Sequence, residues 1–288
     1  MKIYCIIVCY NPDLVNLAKI CGAVLSANVT IIIVDNTERS YIKEFSESTG
    51  IELIALNSNV GIAKAQNIGI KKAFEYGAEA IVFFDQDSEI ENGFIENLTA
   101  PLELNVPMVV TPVFHDRDKG FPYPSYRMNS KGLLYVIESS NEIYDIDMII
   151  SSGSAATKPV FDIAGLMDED YFIDYVDTEW CLRCRAHNIP IKAVPSATMV
   201  HAIGEKSVNL GFMRVFVHSP IRSYYKVRNS FIFFKNRNVP FLMGVKEIIS
   251  ALVQNFMAIF IADKKSIYIK NYFQGIRDGV LGRKGKKK

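Results

Sequence analysis

The sequence predicts an α/β fold: a mostly parallel central sheet covered by helices on both faces. Three observations predict it. Short apolar, β-branched runs alternate with stretches of helical periodicity over residues 1–112, the pattern of a doubly wound sheet. Those runs end abruptly in acids, at Asp35 and at Asp85-Gln86-Asp87, and open α/β sheets bind ligands at the carboxyl ends of their strands. The chain has 288 residues, 49% of them hydrophobic, with a mean hydropathy of +0.13. That is enough to bury a large core and too apolar for disorder.

Lys2 to Cys9 reads as a buried strand closed by the turn Tyr10-Asn11-Pro12-Asp13. Asp13 can cap a helix carrying Leu14, Leu17, Cys21, Val24 and Leu25 at helical spacing. Thr30 to Val34 is a second strand ending at Asp35-Asn36, and Ile51 to Leu56 a third, followed by the turn Asn57 to Gly61. Ile62, Ala65, Gly69 and Ala73 mark a helix whose small residues let it lie close on the sheet. The fourth strand, Ile81 to Phe84, delivers Asp85 and Asp87 to one side of a rim. Two such carboxylates repel unless a cation sits beside them, and a divalent metal carrying phosphate is the usual answer. A plain strand exit, with Asp87 and Ser88 capping the next helix, is the alternative. Gly93 to Leu104 then reads as a helix and Met108 to Thr111 as a fifth strand. A dinucleotide fold is excluded because the first turn has no glycine, and no G-x-x-x-x-G-K-[ST] loop occurs.

From 114 to 150 the alternation stops. Aromatic and polar residues mix, with β runs at Leu133 to Glu138 and Ile143 to Ile150, as in an insertion or an ordinary surface loop. Ser151-Ser152-Gly153-Ser154 offers hydroxyls and a flexible backbone beside it. Asp170, Asp174, Asp177 and Glu179 cluster where a helix begins near Val176; simple capping is one reading, a general base another. Ser196 to Val200 is β-like and leads to His201.

Beyond Pro240 the residues Phe241, Val245, Ile248, Leu252, Phe256 and Phe260 form an apolar stripe opposite Lys246, Ser250 and Gln254. This predicts an amphipathic helix rather than a bilayer span, resting on the catalytic core, on a second subunit in a homodimer, or on a membrane. Lys264 to Lys288 holds nine Lys or Arg against Asp278, a net +8, so the remainder carries −7 of the overall +1. Such a segment suits an anionic lipid surface, and no nucleic-acid partner is expected. The first residues form neither a signal peptide nor a span. Five cysteines, an odd number, fit reduced thiols packed as small hydrophobes; the lone Cys181-x-x-Cys184 pair is weak evidence for a metal or redox centre. The expected organisation is a domain over 1–237, with halves 1–112 and 113–237, and C-terminal helices with a basic tail over 238–288.

In order and spacing, several pieces together resemble the family 2 inverting glycosyltransferases of GT-A fold, and within them the bacterial rhamnosyltransferases. They are Val8-Cys9-Tyr10-Asn11-Pro12, Val34-Asp35-Asn36, Asn59-Val60-Gly61-Ile62-Ala63 with Asn67-Ile68-Gly69, Phe84-Asp85-Gln86-Asp87-Ser88, Asp177-Thr178-Glu179-Trp180-Cys181-Leu182-Arg183, His201, and Tyr224-Tyr225 with Arg228-Asn229. The resemblance implies that Asp35 bonds the pyrimidine, that Tyr10, Asn11 and Asn67 line the nucleotide pocket, and that Asp85 faces the ribose. It implies a Mg²⁺ or Mn²⁺ on the diphosphate, with Asp87 as first ligand and His201 as the second metal-site residue. Asp177 falls at the general base. The glutamate usual before it is Val176 here, which keeps Asp174 as an alternative. Asp174, Glu179, Trp180, Tyr224 and Arg228 are the possible donor or acceptor contacts.

The expected function is transfer of a sugar, L-rhamnose from dTDP-L-rhamnose, to a saccharide or lipid-linked acceptor in cell-surface polysaccharide synthesis such as O-antigen. The expected place is the cytoplasm, peripheral on the inner face of the membrane. Another nucleotide-activated hexose, or a non-catalytic binding or scaffold role on the same fold, is the alternative.

Overall fold

The computed structural model describes residues 1–116, 122–201, 207–209 and 214–288. In chain order the elements are β1 (Ile3–Cys9), α1 (Leu14–Ser26), β2 (Thr30–Asp35), α2 (Lys43–Thr49), β3 (Glu52–Ala55), α3 (Ile62–Glu75), β4 (Ala80–Asp85), α4 (Phe94–Thr99), β5 (Val109–Asp116), β6 (Ser125–Met128), β7 (Leu134–Ile137), β8 (Tyr144–Asp145) and β9 (Ala155–Thr157). There follow α5 (Lys158–Ala164), α6 (Val176–Ala186), β10 (Ile191–His201), β11 (Ser207–Asn209), β12 (Arg214–Phe216), α7 (Pro220–Phe234), α8 (Phe241–Ile261) and α9 (Lys265–Val280).

One sheet, ordered β3-β2-β1-β4-β9-β5-β10-β8, runs through the molecule. It is parallel except for β9, antiparallel to β4 and β5, and β8, antiparallel to β10. Strands from both expected halves therefore share a single sheet. The two-residue period of a strand splits its side chains between two apolar layers. Tyr4, Ile6, Ile32, Val34, Ile81 and Phe83 face α3, α5 and α6; Cys5, Ile7, Cys9, Ile31, Ile33, Val82 and Phe84 face α1 and α4. Each buried Ile or Val contributes roughly 2 kcal/mol relative to exposure, so this double burial fixes the sheet and with it the position of every strand end.

Local chemistry sets the boundaries. Asp13 caps α1, its carboxylate accepting from the Val15 and Asn16 amides at 2.9 and 3.0 Å. The helix expected over 93–104 is shorter, because Pro101 has no amide to continue it. The β run expected over 143–150 pairs only at Tyr144 and Asp145. All five cysteines are free and buried. Burial pushes the Cys184 thiol up to about 12, so this thiol packs as an apolar group.

The C-terminal helices join the same body. Gly275 and Gly279, one turn apart on α9, face α7 with no side chain between. A Cβ on Gly275 would stand 2.9 Å from the Tyr224 carbonyl oxygen, and one on Gly279 2.9 Å from that of Arg228. Asp278, 3% exposed, accepts from the Tyr224 hydroxyl at 2.9 Å and pairs with Arg277 and Arg283. α8 is long and apolar enough, by length and composition, to cross a membrane. It buries Met243, Gly244, Ala251, Asn255, Ala258 and Ile259, with Gly244 against Phe234 of α7 and Asn255 accepting from Ser223 of α7 at 2.6 Å.

Candidate active site

A cleft of about 770 Å³ opens over the carboxyl ends of β1 and β4, where the sheet's topology leaves room for a ligand. Its floor is the β4 exit. Asp85 and Asp87 are both open to the cleft. The Asp85 amide donates to the Ser152 hydroxyl at 3.2 Å, and Ser152 shares a 2.9 Å hydrogen bond with Ser88. The serine-rich stretch therefore holds the acidic loop from below. Asp85 lies within reach of water yet surrounded by protein. Burial, then the charges of Asp87 and Asp177, push its carboxyl up to about 6, with Arg222 acting in the opposite sense.

The β1 side is a hydrogen-bonded frame. The Tyr10 amide donates to Gln86 Oε1 at 2.7 Å, and the Tyr10 ring stands exposed in the cleft. The Asn11 amide donates to the Thr37 hydroxyl at 2.9 Å. That hydroxyl and the Thr37 amide donate to Asp35 Oδ1, at 2.5 and 3.1 Å. Asp35 is fully buried and its Oδ2 has no hydrogen-bond partner among the described residues. Asn36 donates to Asn59 Oδ1 and accepts from the Val60 amide, which brings the turn before α3 to the cleft wall. At Gly61, φ is +91° and a Cβ would stand 2.6 Å from the Phe172 carbonyl oxygen, so only glycine admits this approach. Ile62 then donates to that oxygen at 2.8 Å.

Phe172 opens the third wall. Phe172, Asp174 and Tyr175 all have positive φ, 66°, 62° and 65°. Such non-glycine residues in the left-handed region cost of order 1 kcal/mol each and gather where geometry serves a site. The bend puts Asp177 in the first turn of α6, where Asp177 Oδ1 accepts from the Ser151 hydroxyl at 2.8 Å and Oδ2 from its amide at 3.2 Å. The Ser151 hydroxyl also accepts from Gln66 Nε2 at 3.1 Å. Burial raises the Asp177 carboxyl above the ordinary carboxylate range, and both Ser151 bonds pull it back. Asp174 is otherwise engaged: Arg222 of α7 holds it with contacts of 3.1 to 3.3 Å.

The structure gathers Tyr10, Asp85 and Asp87 in the cleft wall; Asp35 is buried and Asn11 exposed, and neither lines the cleft. Other expected contacts go elsewhere. Asn67 is buried and clamps the 167–169 turn, donating to the Met167 carbonyl and Glu169 and accepting from the Met167 amide, so it does not line the pocket. Glu179, 1% exposed, is paired with Arg183 at 2.8 Å and accepts from Asn236. Trp180 donates to the Gly165 carbonyl at 3.0 Å and packs on Phe161. Tyr224 and Arg228 are buried in the α7–α9 junction. None of these four reaches the cleft, because their polar groups are consumed in the core. The side chain of His201, at the end of β10, lies outside the described residues. Sequence reading missed Phe172, Arg222 and the lysines at 286–288, which all line the cleft.

The cleft accepts a divalent cation by chemistry: Asp85 and Asp87 offer hard oxygen donors side by side, of the kind Mg²⁺ and Mn²⁺ prefer, and phosphate oxygens and water can complete the shell. Among the described residues no group of three or more His, Cys, Asp or Glu gathers around one point.

Fold and cleft together define an α/β protein with a cleft of acidic, metal-compatible floor at the carboxyl ends of its strands. Comparison with known proteins narrows the class: residues 4–161 match the family described as Glycosyl transferase family 2, and the chain belongs to that family and is a glycosyltransferase. It is 41% identical over 285 residues to the dTDP-rhamnosyl transferase RfbF of Shigella flexneri, covering 98% of this chain and 96% of the relative. It is 24% identical over 274 residues to the low-salt glycan biosynthesis hexosyltransferase Agl10 of Haloferax volcanii, covering 91% and 86%. Among solved structures, GalNAc-T7 with UDP, GalNAc and Mn²⁺ superposes with a TM-score of 0.63 at 14% identity, over 98% of this chain and 56% of that one. S. aureus TarS residues 1–349 with UDP-GlcNAc gives 0.57 at 14%, over 98% and 82%. These likenesses show the GT-A fold. The chain spans about half the length of GalNAc-T7.

Proposed function

We propose that this glycosyltransferase moves L-rhamnose from dTDP-L-rhamnose to a saccharide or lipid-linked saccharide acceptor in the synthesis of a cell-surface polysaccharide. The observation that carries the donor is the 41% identity to a dTDP-rhamnosyl transferase along nearly the whole of both chains. The likeness to a hexosyltransferase supports a second reading, another nucleotide-activated hexose on the same site.

Asp177 supports the role of general base. Its carboxylate is fixed by Ser151, and it lies close enough to Asp85 to raise that group's pKa. In this reading Asp177 takes the proton of the acceptor hydroxyl as that oxygen bonds to the anomeric carbon. The bond from that carbon to the diphosphate oxygen breaks on the opposite side, and the configuration inverts. Asp87, with Asp85, would hold a Mg²⁺ or Mn²⁺, which when bound neutralises charge on the departing diphosphate. Asp35 and Tyr10 would orient the base. Two further cavities, of about 440 and 330 Å³, meet Tyr175 and Thr178 beside Asp177. The larger, lined by Phe114, Tyr126 and Met148, supports an acceptor with an apolar part. Thermal melting and slow hydrolysis across a panel of sugar nucleotides test the donor: dTDP-L-rhamnose should stabilise the protein most, and preference for a UDP-hexose would favour the second reading.

The same proposal places the enzyme on the inner face of the membrane. Support comes from exposed aromatic rings where α8 meets α9: Phe256 lies 5.2 Å from Phe260, and both it and the exposed Phe273 pack on the buried Tyr272, at 6.2 and 5.4 Å. A homodimer through these helices is the competing occupant. Binding to anionic vesicles that weakens in Phe256→Ser/Phe260→Ser supports the membrane; a concentration-dependent dimer that the same substitutions dissociate would replace it.

A further inference from the structure

The basic segment after α9, read from sequence as a lipid-facing tail, folds back instead. The chain turns at Gly282 and Gly285, with φ of 67° and 70°, and comes to the donor cleft, where Lys286, Lys287 and Lys288 stand in the wall with Tyr10, Asp85 and Asp87. The path is held at successive points. Lys284 pairs with Asp170 at 2.6 Å, the Gly285 amide donates to the Asp170 carbonyl at 2.8 Å, and the Lys287 amide donates to the Tyr225 hydroxyl at 2.8 Å. Beneath lies Arg228, 1% exposed, whose guanidinium donates to the carbonyls of Gly285, Asp170 and Tyr171 and sits 4.8 Å over the Tyr225 ring. Burying a guanidinium is costly unless its donors are used. Here they tie the basic segment to the loop that leads to Asp174 and Asp177.

The cleft needs positive charge. Asp85, Asp87 and Glu38 bring carboxylates to its wall, and Arg222 is engaged by Asp174. The Lys287 ammonium turns away, donating to Asn271 and lying 4.4 Å from the Tyr224 ring centre. Lys286 donates to the Asn59 carbonyl at 2.9 Å, and an ammonium has three donors. We infer that Lys286 and Lys288 bind the diphosphate of the nucleotide-sugar donor, so that the segment after α9 is a wall of the donor site. The inference rests on the donor reading above.

The test uses the full chain with Lys286→Gln/Lys288→Gln, titrated with dTDP, UDP and thymidine. Charge-assisted bonds to phosphate predict roughly a tenfold loss of diphosphate affinity per lysine, unchanged thymidine binding, an unchanged melting temperature without ligand, and recovery in Lys286→Arg/Lys288→Arg. Lys284→Gln, outside the cleft wall, should cost less. Unchanged dTDP and UDP affinity in the Gln variant, or an equal loss for thymidine, overturns the inference while leaving the donor reading intact. A wild-type chain that binds neither nucleotide overturns both.

Discussion

The two sides of the cleft are built by opposite means. On the β1–β4 side the functional groups sit on the ends of strands buried on both faces, and each is set by a hydrogen bond made where a strand leaves the sheet: Asp35 by Thr37, the Tyr10 amide by Gln86 at the β4 exit, the Asp85 amide by Ser152. On the α7–α9 side no sheet lies beneath the groups, and they are set by polar contacts of α7 with α9 and with the segment after it, such as Tyr224 with Asp278 and Arg228 with Gly285. The first side is rigid because the sheet is; the second is only as firm as its polar junction. The difference separates variants that fail in chemistry from variants that fail in assembly.

The largest effect should fall between the sides, at the strained bend. Asp177→Asn is expected to bind donor about as well as the wild type yet lose about 10² to 10⁴ in rate, the range of a positioned base. Asp174→Asn, which only frees Arg222, should lose far less. The reverse order in rate assays would hand the role to Asp174. On the β4 side, chelation by EDTA should abolish turnover and Mg²⁺ or Mn²⁺ restore it; full turnover in a rigorously chelated sample would remove the metal from the account.

The α7–α9 side should answer in stability. Arg228→Met removes the guanidinium that ties Gly285 to Asp170 and Tyr171, a loss of about 3 kcal/mol, read as a lowered denaturant midpoint. A midpoint within error of the wild type would mean that the junction does not hold this wall.

Legibility followed the same division. Strand ends could be read because an apolar run that stops at an acid is a local pattern, which put Asp35, Asp85 and Asp87 in their places and capped α1 with Asp13. Glu179 and Trp180 were misjudged by their nearness to Asp177. In a helix a residue two positions on stands about 200° round, and Glu179 there meets Arg183 instead of the cleft. Phe172 and Arg222 leave no signal, since one depends on a run of positive φ and the other on where α7 docks. The lysines at 286–288 were legible as charge but not as site residues. Only the path past Arg228 turns them inward.

A smaller effect concerns pH. The base works ionised, and burial raises the Asp177 carboxyl while Ser151 lowers it. Activity should therefore fall on the acid side with a midpoint above the ordinary carboxylate range, and Ser151→Ala should move that midpoint to higher pH. A midpoint unmoved, or moved down, would separate Ser151 from the base.

The most direct measurement is the anomeric configuration of the sugar released from dTDP-L-rhamnose by slow hydrolysis, read by NMR before mutarotation. Inverting transfer from this cleft predicts free rhamnose of configuration opposite to the donor's, with release lost in Asp177→Asn. Retained configuration, or hydrolysis of other sugar nucleotides but not of this one, would contradict it.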